Sequence, residues 1–540
     1  MTPTIAAAPP DRSITDWIAL IAIVVGALAA VLLVLPYRSF DLDRFLAPKE
    51  LAVHLAAAVA GTATLAHARG VRLGRADFLL GAWLVLSLAS GLFATNHWAA
   101  FRAITLSVSG AIIYWSARRL AVAGLAGILS AGLAAVVVIG AGTALAQAYG
   151  ARFDFATLSR APGGTFGNRN FMAHLAAAGV PLLVWGALAA RRRGGTILTT
   201  IGLLACAAAL VLSRTRAAWL ALMIGGVMAL VLLVRGPALL EPTQRRRVLT
   251  VIASLFAGVV LALTVPNALD WKSDNPYLES VKGVVNYKEG SGRGRLKQYV
   301  NSLKMTVSHA AFGVGPGNWA VQYPAYAPGD DPSIAEATGM AANPWPSSDW
   351  VAAVSERGPI AALALIAFFF TVLSAGVRAR YDSERSTAAR LAALAGVVTV
   401  FVAVVEGAFD AVLLLPMPLI LVMAATGALL PAGKDEGTFT FAPPSRVMLP
   451  LLLLAAQSVA IITSAGRVEA MRLYGLGTLT ALEGAIARDP GNFRIRVRAA
   501  ETQLARGKCA DARAQALAAR ALFPQAPAPK RVLAACPGKP

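Results

Sequence analysis

Two arginines, Arg214 and Arg216, stand in a four-residue connection, Ser213-Arg214-Thr215-Arg216, between two long apolar runs. The connection is so short that both guanidiniums lie at membrane depth. Arginine there is costly unless it is paired or lines a wet cavity. One reading is a long side chain snorkelling to the interface. The other is a phosphate clamp, because the guanidinium is a planar fork that binds phosphate bidentately. More cations follow in a hydrophilic excursion from about Pro266 to Trp350. Its first half holds Lys272, Lys282, Lys288, Arg293, Arg295, Lys297 and Lys304. Its second half lacks Lys and Arg but holds Asp330, Asp331, Glu336 and Asp349. A cationic half facing an acidic half suits an anionic substrate held while another group is deprotonated. A solvated loop is the plainer alternative.

Asp349 stands in NPWPSSDW (343–350) at the outer entry of an apolar run. Partial desolvation there raises a carboxyl toward a useful range, and a nearby arginine opposes that rise. Ser348 lacks basicity and orients a hydroxyl at most. The competing reading makes Ser348 or Asp349 an ordinary helix N-cap. Glu406 and Asp410 lie four residues apart near the outer end of another run, where carboxylates mark a wet cavity or an ion pair. They are candidates for contact with an acceptor or with a site arginine. Asn168 and Asn170, in GGTFGNRNF (163–171), are candidate substrate contacts, as are Arg293 and Lys297. His54 and His174 fall within apolar runs and read as core residues with a local hydrogen bond.

These groups are held by an apolar chain. Of 540 residues, 57% are hydrophobic and 14% charged, against about 25% charged in soluble proteins. Apolar runs of 18 or more residues recur, long enough for ~30 Å of hydrocarbon. The expectation is an all-α polytopic membrane protein. Spans are expected near 17–35, 49–66, 78–94, 100–117, 121–148, 170–190, 196–212, 216–234, 248–265, 350–376, 388–412, 416–431 and 447–465. The net charge of +21 does not indicate nucleic acid, because the arginines cluster in short connections between apolar runs. Alternate connections carry most of them, including Arg69/Arg72/Arg75, Arg191/Arg192/Arg193 and Arg245/Arg246/Arg247. By the positive-inside bias that side is cytoplasmic. The amino terminus is then inside, and the excursion at 266–350 and the segment after 465 are outside.

Within the excursion, Leu296, Val300, Leu303 and Val307 recur at helical spacing. They predict an amphipathic helix lying on the outer membrane surface. FGVGPGNW (312–319) has too many glycines and a proline for regular helix and predicts a turn where backbones approach closely. It lacks the Walker pattern. The tail from 466 is a second unit. Asp489-Pro490 recurs as Phe523-Pro524 at the tetratricopeptide period, with Gly507 and Ala510 where the helix–turn–helix turn is expected. The tail therefore reads as an outside helical hairpin for contacts with a partner. Cys509 and Cys536 both fall there, where an oxidising compartment permits a disulfide.

Four stretches together resemble the O-antigen ligase and polymerase superfamily of bacterial inner-membrane glycosyltransferases. They are GTFGNRNFMAHL (164–175), SRTRAAWLAL (213–222), GRGRLKQYVNSLKMTVSHAAFGVGPGNW (292–319) and PSSDWVAAVSERGPIA (346–361), in the family's order. The resemblance covers roughly 160–420. It implies transfer of a glycan from undecaprenyl diphosphate, at the outer leaflet, to a hydroxyl of a lipid core, another glycan or a protein. It implies no metal or nucleotide cofactor. Arg216 and Arg295 match the family's arginines, with Arg214 and Arg293 as helpers. The histidine that many relatives carry just before the tenth span is replaced here by Pro346-Ser347-Ser348-Asp349-Trp350, which is what makes Asp349 the candidate base. Two other classes stay open: a polysaccharide transporter or flippase, and a catalytically inactive scaffold of the same family. A flippase predicts broken helices and midplane charges in two related halves, and no such internal repeat is visible.

The topology is directly testable. Reporter fusions at Gly290 and Gly507 are both expected to give the periplasmic signal, and a cytoplasmic signal at Gly507 would overturn the thirteen-span count.

Overall fold

The computed structural model describes residues 12–40, 42–66, 68–153, 160–271, 273, 275–282, 290–431 and 436–537. Lys272 and Lys288 lie outside the described residues. The architecture is all-α and polytopic. Nine helices run before the excursion: α1 (Ile14–Leu32), α2 (Asp43–Ala66), α3 (Arg75–Gly91), α4 (His97–Val122), α5 (Ala126–Ala148), α6 (Arg169–Ala189), α7 (Arg193–Ser213), α8 (Arg216–Val234) and α9 (Pro242–Thr264). The excursion holds α10 (Pro276–Lys282), α11 (Gly290–Ser308), α12 (Trp319–Gln322) and α13 (Asp349–Arg357). The bundle resumes with α14 (Pro359–Tyr381), α15 (Thr387–Glu406), α16 (Pro416–Leu429) and α17 (Pro443–Leu476). The tail is α18 (Leu479–Arg488), α19 (Phe493–Ala505), α20 (Cys509–Leu522) and α21 (Pro527–Ala535).

Nine of the described helices are long and apolar enough to cross a membrane: α1, α5 to α9, α14, α15 and α17. The expected spans at 49–66, 78–94, 100–117 and 416–431 correspond to α2, α3, α4 and α16, which pack among these nine. Every residue of α16 is buried. It packs against α1, α2, α4, α5, α6 and α15, at the heart of the bundle. Small residues let helix backbones meet closely, as membrane packing without a hydrophobic drive requires. A Cβ at Gly26 of α1 would collide with Ala56 of α2, and one at Gly258 of α9 with the Leu204 carbonyl of α7.

The expected span at 350–376 is two helices. Gly358, at φ +84°, and Pro359 separate α13 from α14. Only α14 meets the length and hydropathy of a span. α13 is a short helix whose buried Ser355 and Glu356 engage the excursion, while Arg357 donates to Ser107 of α4.

The excursion is folded around its own core of Met305, Val314, Trp319 and Tyr323. Asp331 anchors it, accepting hydrogen bonds from Asn301 (2.9 Å), Tyr323 (2.7 Å) and the Ser333 amide (2.8 Å). α11 turns its polar residues Gln298, Asn301, Ser302 and Thr306 into this core, while Leu296, Val300, Leu303 and Val307 are exposed. An apolar stripe on the outside of a folded segment is the arrangement for lying on a membrane.

α17 runs unbroken to Leu476, past the expected boundary at 465, and delivers the tail to the same end of the bundle as the excursion. The Asn96 side chain donates to the Gly491 carbonyl at 3.3 Å, and Met340 of the excursion packs on the cluster of Phe493, Ala519 and Ala526. The tail is two helical hairpins, α18–α19 and α20–α21. The turn between them is at Arg506 to Lys508 and contains Gly507 (φ +72°), whereas Ala510 falls inside α20. Cys509 and Cys536 form a disulfide with Cα atoms 5.5 Å apart. The double substitution Cys509→Ser/Cys536→Ser is expected to cost the tail up to about 3–4 kcal/mol by loop entropy. It should show as protease cleavage beyond Gly507 that the oxidised protein resists.

Candidate functional site

At the excursion's end of the bundle, the turn between α15 and α16 (407–415) is where the candidate residues converge. Asp410 lies on it. One Asp410 oxygen, Oδ2, receives the Asn170 side-chain amide at 3.0 Å and stands 3.4 Å from His174 Nε2 and 3.6 Å from an Arg295 terminal nitrogen. The other accepts the Ala411 amide at 2.9 Å. His174 Nδ1 is 3.1 Å from Glu406 Oε1, and both side chains are fully buried. Burial by itself raises the Asp410 carboxyl. The His174 ring, the Arg295 charge and the Ala411 amide override it and hold the group at about 2.

The chain of contacts continues to the short arginine connection. The Thr215 hydroxyl donates to the Asn170 side-chain carbonyl at 3.2 Å, and Thr215 is the N-cap of α8, whose first residue is Arg216. Arg295 and Arg216 are thus tied to one network through Asp410, Asn170 and Thr215. Arg214 occupies the left-handed region (φ +54°) as the C-cap of α7, an unusual conformation for a residue with a side chain. It is held there by Ser280 Oγ at 2.8 Å and by Trp271, whose ring centroid is 4.7 Å from the guanidinium. Arg169 faces the same indole at 5.7 Å. This arginine was not singled out from the sequence. Its place directly after the α6 N-cap Asn168, in the same connection as Asn170, is the signal that could have found it.

α11 presents Arg295 because neighbouring residues fasten its register. Tyr299, one turn later on the same face, donates to the Ser347 carbonyl at 2.7 Å and the Ala408 carbonyl at 3.1 Å. Gln298 accepts the Ser347 amide at 2.6 Å. Both bonds join α11 to the segment before α13, and Tyr299 also joins it to the 407–415 turn.

Asp349, the candidate base, has both carboxylate oxygens engaged. Its two oxygens accept the backbone amides of Val412 (3.0 and 3.2 Å), Leu413 (2.9 Å) and Leu414 (3.3 Å). Its own amide donates to the Gly407 carbonyl at 2.8 Å. Burial pushes its carboxyl up to about 7, against those amide bonds, which favour the charged form. Both oxygens face the backbone of the turn, the geometry of a brace. Ser348 is the N-cap of α13, accepting from Val351, and its hydroxyl donates to the Gly407 carbonyl at 2.9 Å. The cap expected of Ser348 or Asp349 is Ser348.

The structure therefore brings together Arg295, Asp410, Glu406 and Asn170, with Arg216 and Arg214 on the adjoining connection. Asn168 stands at the edge, its side chain capping α6 through the Asn170 amide at 3.0 Å. Lys297 points the other way, into an ion pair with Asp330 at 2.6 Å, and Arg293 is exposed. His174, read from the sequence as a core residue, is buried but links the two carboxylates. Its signal was its position four residues after Asn170, on the same face of α6. The glycine loop 312–318 packs on α13: Gly315 donates to the Glu356 carbonyl at 2.9 Å, and Gly317 to the Glu356 carboxylate at 2.9 Å. Its amides serve Glu356, whose carboxyl is raised by burial despite Arg357 and those amides. No group of three or more His, Cys, Asp or Glu arranged to hold a metal occurs among the described residues.

Residues 201–366 match the family model described as O-antigen ligase. No curated protein matches the chain. The matched stretch contains Arg214, Arg216, the whole excursion with Arg295, and Asp349. Asn170, His174, Glu406 and Asp410 lie outside it and complete the site from α6 and α15. The family is one of ligase-type glycan transfer. That match, over 201–366, supports a similarity of this part of the chain to the O-antigen ligase superfamily.

Proposed function

We propose that this protein transfers a glycan from undecaprenyl diphosphate to an acceptor hydroxyl at the periplasmic face of the bacterial inner membrane. The observation that carries the reading is the network that ties Arg295 through Asp410 and Asn170 to Thr215 and the Arg214–Arg216 connection. A diphosphate leaving group gathers negative charge as the glycosidic bond breaks, and donors fixed in advance stabilise that charge most. Arg216 and Arg295 are the forks that receive it, with Arg214 and Arg169 stacked on Trp271 behind them. The acceptor oxygen bonds the anomeric carbon as the bond to the diphosphate oxygen breaks. The reaction as drawn uses no metal or nucleotide.

The proton of the acceptor hydroxyl goes, in this reading, to Asp410. In the free protein Arg295 and His174 keep it charged and weakly basic. When the diphosphate draws Arg295 away, Asp410 loses that counter-charge, and its basicity rises. Asp349 and His174 are positioning residues: Asp349 shapes the turn that carries Asp410, and His174 fixes the carboxylate from beneath. The charges gather at one end of the bundle, which favours transfer over a midplane flippase pathway.

Purified protein in lipid nanodiscs, given lipid-linked donor and acceptor, tests the assignment. Arg216→Ala and Arg295→Ala are each expected to lower turnover by ~10²–10³, and lysine substitutions to be poor because they present a point charge. Turnover at the wild-type rate in either alanine variant would remove the clamp. Asp410→Asn should lose about 10²–10⁴ of the rate, the usual contribution of a general base. Asp349→Asn should keep transfer per folded molecule while lowering Tm; the reverse pattern would return the base role to Asp349. Because the folded Asp410 carboxyl lies at about 2, below its ordinary value, its contribution to stability is present above pH ~4 and lost as pH falls toward 2. Thermal denaturation should show that acid limb in the wild type and a flatter one in Asp410→Asn.

A further inference from the structure

A cavity of about 670 Å³ lies beside this site, and none of Arg214, Arg216 and Arg295 lines it. Its size falls in the range of ligand pockets, ~300–1,000 Å³. The floor reaches between α3, α4, α14 and α16 and is apolar, down to Leu80, Leu365 and Met423. The mouth is polar and is walled by two separate parts of the chain. Trp98 and Arg102 come from α4. Gly491, Asn492 and Phe523 come from the tail. The closure is tight, since a Cβ at Gly491 would collide with Trp98. Asn168 and Asp349 line the cavity on the side of the Asp410 network.

Three features describe the occupant. The five arginines that line the cavity are matched in number by five carboxylates; Arg102 donates to Glu50 (2.8 Å) and Asp43 (2.9 Å), and Arg467 stands 3.6 Å from Glu50. Such a wall gives a diphosphate no net attraction, but its many fixed donors and acceptors match hydroxyls. Two buried donors lining the cavity, Trp83 Nε1 and Arg357 Nε, have no hydrogen-bond partner among the described residues. Donors left so in a closed site are expected to meet a ligand or water. Finally, the indole faces at the mouth offer flat apolar surface beside polar groups, which is what sugar rings present in turn.

We infer that this cavity binds an amphiphilic glycoside, sugars at the mouth and an apolar chain on the floor, and that the tail selects it as the acceptor. The word acceptor rests on the transfer reading; the binding does not. The tail then forms part of a substrate site, beyond the partner contacts expected from its repeat.

Full-length protein labelled with 5-fluorotryptophan, in nanodiscs of sugar-free lipid, reports the cavity by fluorine NMR. Trp83→Phe and Trp98→Phe assign the two resonances. Dodecyl maltotrioside is expected to shift both saturably, and Phe523→Ala to weaken its binding roughly tenfold, as loss of an aromatic anchor does. If Phe523→Ala loosens the tail, read by protease sensitivity, Trp98→Leu carries the same expectation on the Trp83 resonance. Equal shifts with dodecylphosphocholine, which has the chain without the sugar, would overturn the inference. So would displacement by farnesyl diphosphate, which would give the cavity to the donor, or no shift at all. The assay contains no donor. A cavity that binds the glycoside in a protein that transfers nothing would sink the transfer reading alone. A working transferase whose cavity ignores glycosides would sink this one alone.

Discussion

The structure depends on how one carboxylate is kept charged at the edge of a membrane. Asp410 is almost wholly buried, and an isolated ion there would be expelled or neutralised. It stays because Asn170, His174, Arg295 and the Ala411 amide converge on it. The requirement runs both ways. Arg295 reaches into the bundle end only because a carboxylate is waiting, and α6, α11 and α15 are pinned at one point by satisfying it. Removing one partner of such a cluster leaves the others uncompensated, so the energetic weight of each contact exceeds its separate worth.

A second carboxylate, Asp349, makes the first possible. The 407–415 turn joins two bundle helices and leaves amides that no helix satisfies. Asp349 collects three of them, while Gly407 returns its carbonyl to α13. Glu356, two turns along the same short helix, does the equivalent for the glycine loop through Gly317 and Trp319. α13 is thus a bracket with a carboxylate at each end, one holding the bundle turn and one holding the excursion. Gly358 is what frees it from α14: a continuous helix through 349–376 would point neither carboxylate correctly.

Much of this could be read in the chain. Apolar runs gave the helices of the bundle, because hydrocarbon admits little besides helices there. The Leu296–Val307 stripe gave α11, and Asp489-Pro490 with Phe523-Pro524 gave the tail hairpins. Arg295, Glu406 and Asp410 were singled out because charge at membrane depth is rare enough to need a reason. What could not be read is pairing across the chain. Apolar context alone does not distinguish His174 from His54, since both sit in apolar runs. His54 meets Ser109 and His174 meets two carboxylates more than 200 residues away in sequence. Asp349 read as a base because its segment is ionisable and exposed in one dimension; the amides it serves belong to residues 412–414. Lys297 read as a substrate contact from its sign alone, and a neighbour at Asp330 claims it.

The two sites differ in charge for a reason that follows from their proximity. A cationic clamp beside a chamber whose charges balance focuses its field on the groove that, in the proposed transfer, takes the diphosphate. A chamber with unpaired arginines would compete for the same anion. Matching the chamber's arginines with as many carboxylates, as where Arg102 meets Glu50 and Asp43, limits that competition while leaving donors in place for neutral hydroxyls. Asn168 and Asp349 stand on the chamber wall; Asn168 caps the helix that carries Asn170 and His174, and Asp349 braces the turn that carries Asp410. In the proposed transfer the order of contacts is then sugar against the tail and Trp98, reacting hydroxyl toward Asp410, and diphosphate beyond it on Arg216 and Arg295.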